Sequence, residues 1–153
     1  MIPKKKSESS GRIYKALYVD ENGYCLTVLE YKNEVFTVKA EYFDLEKISY
    51  KKIKEDFKTT GITTYERRIS NQDISSRIDK TIKVLELNET IGIMNIKALI
   101  NDKRLVIDTP DLQNAIHQYD PENTTKGHRV KALMLGIAEE PKINHLLRDS
   151  QPS

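Results

Sequence analysis

Few residues in this chain are equipped for covalent chemistry. The single cysteine, Cys25, can form no internal disulfide and has no cysteine partner for a zinc knuckle, which fits a reducing compartment. It lies in an apolar stretch, where a thiol behaves as a small buried hydrophobe. No G-x-S-x-G elbow and no G-x-x-x-x-G-K-[ST] phosphate loop occurs in the sequence. His117 and His145 belong to no constellation, and a polar surface role suffices for them. What remains is carboxylates and cations. Asp20 opens a D-E-N-G run, where aspartate favours a turn. Glu66 precedes Arg67 and Arg68 and can serve as a solvated charge. His128 stands at a helix start, among Lys126, Arg129 and Lys131. With 25 Lys and Arg against 23 Asp and Glu, the net charge of +2 does not by itself announce nucleic acid. Only local clustering of such cations would neutralise phosphates. The run Lys4–Lys6 is a weaker signal, because lysine runs at termini are common linkers.

The elements that must position these groups follow from periodicity. RIYKALYV, YCLTVLEY and EVFTVKAEYF, between Arg12 and Phe43, are β-branched and aromatic, and are separated by DENG and KN turns. They predict an antiparallel meander, with positive φ available at Gly23 and Asn33. In its third strand Phe36, Val38, Ala40 and Tyr42 are expected on one face. EKISYKKIKEDFK reads as an amphipathic helix through Ile48, Ile53 and Phe57, and GITTYE as a fourth strand ending at Glu66. Ser70 and Asp73 resemble a capping pair for a helix carrying Ile74 and Ile78. A brief strand fits Ile82–Leu87, a helix Glu89–Asn101, and a strand Arg104–Asp108. Thr109-Pro110 opens the next helix, and a last helix carries Val130, Leu133, Met134, Ile137 and Ala138. The order β-β-β-α-β-α-β-α-β-α-α suits a mixed sheet covered by helices. Residues 1–11 read as a flexible basic arm, 12–140 as one domain and 141–153 as a tail. At 153 residues, 38% hydrophobic and 31% charged, the chain can bury a core unaided. No apolar run approaches a membrane span, so a soluble, cytoplasmic protein is expected.

The meander followed by alternating helices and strands resembles the opening of ribonuclease H-like domains. GIMNIKALINDKRLVIDTPDLQNAIHQYDPENTTKGHRVKALMLGIA, within Ile91–Ala138, resembles the end of the nuclease domain of phage large terminase subunits. Leu105–Ile107 match a short strand, Leu112–Tyr119 a helix, and His128 with Ala132-Leu133 the terminal motif. The resemblance spans roughly Lys15 to Ala138. It implies an α/β fold: a ribonuclease H-like mixed sheet, antiparallel meander plus parallel strands, flanked by helices. It also implies a DNA endonuclease with two divalent metals, Mg2+ or Mn2+, held by carboxylates. Carried over by position, Asp20 and Glu66 are the expected ligands and His128 assists. Arg67, Arg68, Lys126, Arg129 and Lys131 would surround the same place and hold DNA phosphates. The partners implied are DNA and other phage packaging proteins, in the host cytoplasm if the chain is phage-encoded, with no membrane.

The family's last aspartate falls on Lys131, and the acid before the histidine falls on Gly127. Lys131 lies one helical turn from His128 and would pair with Asp20 or Glu66, opposing metal. Two readings therefore stand: a metal-dependent endonuclease, or a degenerate copy of the fold that binds DNA or a protein without cutting. An unrelated α/β interaction domain is a third.

Overall fold

The computed structural model describes residues 11–58, 64–78, 81–122 and 127–138. Most of the basic arm, the tail 141–153 and Lys126 lie outside the described residues. The strands are β1 (Arg12–Val19), β2 (Tyr24–Lys32), β3 (Val35–Asp44), β4 (Glu66–Ile69), β5 (Lys83–Val84) and β6 (Leu105–Val106). The helices are α1 (Tyr50–Lys58), α2 (Gln72–Ile78), α3 (Glu89–Asn101), α4 (Pro110–His117) and α5 (His128–Ile137). Element order along the chain is as the periodicity predicts.

One six-stranded sheet runs β5-β4-β1-β2-β3-β6. The meander β1-β2-β3 is antiparallel, while β4 joins β1, β5 joins β4 and β6 joins β3 in parallel. Alternation along β1 divides the core between two faces. Tyr14 meets Ile93, Ile96, Leu112, Leu133 and Met134 on the side of α3, α4 and α5. Leu17 and Val19 meet Ile53, Phe57, Ile69 and Ile82 on the side of α1 and α2. The helix α5 is central: nine of its ten residues are buried.

Several expectations need correction. The fourth strand begins at Glu66 instead of ending there, because Glu66 through Ile69 pair with Tyr14 through Leu17. The charged run E-R-R concealed this strand from a hydrophobic reading. The single face expected for β3 is broken by a register shift: Leu29 pairs with Val38 but Val28 with Ala40. The extra residue reverses the alternation, so Val38 packs toward α5 and Tyr42 toward α1. The cap of α2 is Asn71, whose Oδ1 accepts the Ile74 amide at 3.2 Å. Asn33 and Glu34 both have positive φ, 53° and 64°, as a tight hairpin turn requires.

Gly23 lies outside the left-handed region and is needed for space. A Cβ there would stand 2.3 Å from the Asp44 carbonyl oxygen and 2.8 Å from the Leu45 Cα. Because both are backbone atoms, Gly23→Ala must push two strands apart. A loss of about 1–3 kcal/mol is expected from overpacking, read as a lower urea midpoint at unchanged slope.

Candidate functional site

The C-terminal ends of the parallel strands β1, β4 and β5 open into one cleft of about 570 Å³, lined in part by Asp20, Ser70, Asn71 and Glu86. His128, at the N-terminus of α5, reaches Asp20 on the rim of this cleft. Open α/β sheets bind ligands at such strand ends.

Asp20 follows β1 directly and folds back on its own turn. Its Oδ1 accepts the Asn22 amide at 2.8 Å and the Gly23 amide at 3.2 Å. The same oxygen lies 2.7 Å from His128 Nε2. A carboxylate can only accept here, so Nε2 carries the proton and donates. His128 is 1% exposed, packs edge-on against Tyr18, and its Nδ1 is buried with no hydrogen-bond partner among the described residues. Burial raises the Asp20 pKa, but the bonds from His128 and the Asn22 and Gly23 amides outweigh it. The net value lies below the ordinary 3.8. Asp20 thus contributes stability that is present above 3.8 and lost as pH falls through its lower folded value. In acid melts the natural protein should lose melting temperature more steeply below that pH than Asp20→Asn does. Parallel curves would refute the coupling.

Lys131 stands one turn after His128 and is 7% exposed. Its Nζ lies 3.8 Å from Glu89 Oε1 and 3.5 Å from the Tyr18 hydroxyl, and 5.0 Å from the Tyr18 ring centre. Glu89 also accepts from the Tyr119 hydroxyl. The expected pairing of Lys131 with Asp20 or Glu66 is therefore not what forms, because Glu89, in the first turn of α3, reaches it.

Glu66 is not in this cleft. It pairs with Tyr14, six residues before Asp20 on the adjacent parallel strand, which is roughly 20 Å at ~3.3 Å per residue. There it accepts Arg68 Nε at 2.9 Å and lies 3.7 Å from Lys83 Nζ. The position beside Asp20 at the end of β4 belongs to Ser70 and Asn71. Sequence reasoning also missed Glu86 and Glu89; Glu86 was signalled by an acid closing the short alternating run T-I-K-V-L-E-L.

The expected basic cluster is dispersed. Arg68 is 4% exposed and holds α5 from the opposite end, its Nη1 donating to the Leu135, Gly136 and Ala138 carbonyls at 3.0, 2.9 and 2.7 Å. Arg129 makes a two-pronged bond to Glu41 at 3.0 and 2.7 Å and lies over Phe43. Arg67 alternates to the other face of the sheet, near the Phe57 ring. Lys131 is enclosed, and Lys126 lies outside the described residues.

A two-metal centre needs several carboxylate oxygens converging on two cations. Here Asp20 Oδ1 already accepts from three donors, a serine and an asparagine end the neighbouring strand, Glu21 and Glu86 line the cleft without grouping with Asp20 around a metal position, and an ammonium stands on α5. Among the described residues no group of three or more His, Cys, Asp or Glu is placed to hold a metal ion. The residues present do not fit such a centre.

Sheet order, mixed pairing and the helix on the Asp20 side define a ribonuclease H-like fold of the kind found in terminase nucleases. Solved structures bear this out. The chain superposes on the large terminase of a thermophilic bacteriophage with a TM-score of 0.63 at 16% identity, covering 89% of this chain and 40% of that one. It therefore spans well under half of that protein. The nuclease domain of the bacteriophage SPP1 large terminase, with bound Mn, matches at TM-score 0.62 and 12% identity, over 89% of this chain and 90% of that one. The human cytomegalovirus terminase nuclease domain, soaked with Mn, matches at 0.59 and 11%, over 92% and 89%. No protein-family profile and no curated protein sequence matches the chain. No helix among the described residues is long and apolar enough to cross a membrane.

Proposed function

We propose that this chain is a terminase-nuclease-like module that engages DNA without cutting it by two-metal chemistry. The observation that carries this reading is Lys131: a fixed ammonium, held by Glu89 and Tyr18 beside the Asp20–His128 pair, where the terminase motif has an aspartate. A cation enclosed there raises the cost of bringing a second cation to the same wall. The fold's neighbours are terminase nucleases, which supports DNA and packaging proteins as the partners. The other reading, a Mg2+- or Mn2+-dependent DNA endonuclease, is favoured by Asp20, which stays ionised and oriented at the end of the first strand.

Duplex DNA incubated with the protein and manganese should be retarded on a native gel and recovered intact after deproteinisation. Recovery of nicked or shortened DNA that Asp20→Asn abolishes would establish the endonuclease instead.

A further inference from the structure

The strand β6 ends the sheet on the side away from β5 and pairs only with β3. The Phe36 amide donates to the Arg104 carbonyl at 2.9 Å. The parallel register therefore turns the Arg104 carbonyl and the Val106 peptide groups toward β3. Alternation aims those of Leu105 and Ile107 outward. The Ile107 carbonyl accepts from Gln113 Nε2 at 2.6 Å. The Leu105 N–H and C=O and the Ile107 N–H are left, and none of them meets a partner among the described residues. Beside them a groove of about 530 Å³ opens between α3 and α4. Ile100, Leu105, Ile107 and Ile116 make its lining apolar, Lys97 and His117 are exposed on it, and the described lining holds no acid. The acids nearby are engaged or turned away. Asp102 lies 3.6 Å from Arg104, Asp111 acts on Arg129, and Asp108 alternates to the other side of the strand from Ile107.

We infer that the outer edge of β6 takes an extended peptide of a partner protein as an added strand, with apolar side chains entering the groove and acidic ones meeting Lys97. Donors and an acceptor along one strand edge are satisfied together by another strand, whose alternate side chains then fall on one face. The groove receives that face. The other open edges of the sheet are blunted in ways that discourage pairing. On β5 stands Lys83, its side chain 47% exposed. Where β3 runs past β6, the exposed Lys39 is the extra residue of the bulge. Leu105–Ile107 has neither device, and Val106 and Ile100 are exposed beside it. Lys97, facing no acid in the lining, selects for acidic residues in the partner. The edge lies away from β4, β5 and the Asp20 cleft, so it stands whether or not the chain engages DNA.

The test uses the full chain and a fluorescein-labelled peptide, Glu-Thr-Val-Thr-Ile-Thr-Glu, which puts Glu, Val, Ile and Glu on one face. Anisotropy should show saturable binding. The same peptide with N-methyl groups on alternate amides should not bind, and the version with Lys in place of both Glu should bind more weakly. Lys97→Glu and Ile100→Gln, both at exposed positions, should each weaken binding about fivefold or more. Lys51→Glu on α1 should bind as the natural protein does. Circular-dichroism melts confirm that the variants stay folded. Amide exchange followed by NMR gives the direct signature: the Leu105 and Ile107 amides should slow on adding peptide, while the Val106 amide, already bonded to β3, should not change. Binding that leaves the Leu105 and Ile107 amides unprotected overturns strand addition, as does failure to bind at millimolar peptide. Binding of octanoate in place of the peptide would make the groove a small-molecule site and overturn the proposal. Protection of the same amides without peptide, rising with protein concentration, would make a second copy the occupant and overturn it as well.

Discussion

Supercoiled plasmid incubated with manganese and the natural protein is expected to remain supercoiled, while the double variant Ser70→Asp/Lys131→Asp binds manganese and nicks it. Both positions follow from the strand-end geometry. Ser70 lies just past Ile69, which pairs with Leu17, so an aspartate there would flank Asp20 across the β1–β4 boundary. Lys131 is one turn from His128, whose Nε2 already meets Asp20. Exchanging the ammonium for a carboxylate changes the local charge by two units. At about 4 Å each unit is worth roughly 1–4 kcal/mol between a water-like and a surface-like dielectric. Manganese affinity should therefore tighten by about thirtyfold or more. Without metal the variant should be less stable than the natural protein, because a carboxylate would then face Glu89 in place of the present partner at 3.8 Å. Added manganese should recover its melting temperature, and should leave that of the natural protein unchanged. Two results would sink the account: cleavage by the natural protein that Asp20→Asn abolishes, or a double variant that folds and yet shows no manganese-dependent rise in melting temperature.

Arg68→Met is expected to be the most destabilising single change on the α5 side of the sheet. The Arg68 guanidinium closes the C-terminus of α5 by donating to three carbonyls, and its Nε binds Glu66 at 2.9 Å. It also lies over the Tyr14 ring, 4.5 Å from its centre. A helix end buried without donors leaves its last carbonyls unsatisfied. Breaking a buried charged network from one side costs about 3–5 kcal/mol. Arg68→Lys should rescue little, because a point charge cannot reach three carbonyls and a carboxylate in one plane. Glu66→Gln serves as the contrast. With its side chain 24% exposed, Glu66 is expected to lose less than about 1 kcal/mol on neutralisation, and DNA binding should not change. Chemical denaturation of the three variants checks all of this. A loss below about 1 kcal/mol for Arg68→Met would show that water satisfies the helix end.

Local pattern was enough for the element order, the three-stranded meander, the span of α3 and the start of α4 after Thr109. These depend on alternation, helical period and caps, all of which are written within a few residues of where they act. The Asp20 turn was legible for the same reason: its carboxylate bonds amides two and three residues away. The resemblance implied that Asp20 and His128 serve one metal site; the fold brings the two together across 108 residues as a directly hydrogen-bonded pair.

Register and face were a different matter. Whether Glu66 ended or began β4 depended on which residues of β1 it met, a contact between distant segments that no local window contains. Starting the strand at Glu66 instead of ending it there moved the acid from one end of the sheet to the other. The same holds for the cations: Arg67 and Arg68 are adjacent in sequence and lie on opposite faces because a strand alternates. One is buried under α5 and the other joins a basic depression on α1. The bulge that turns Tyr42 away from Val38 is likewise a property of two strands and not of one. The sequence by itself thus determined which elements form, and only its resemblance to terminase nucleases implied an aspartate at the position of Lys131. Only the tertiary structure decided what Lys131 pairs with, which acids line the Asp20 cleft, and where the basic depression lies, because strand pairing and face are fixed by contacts far apart in the chain.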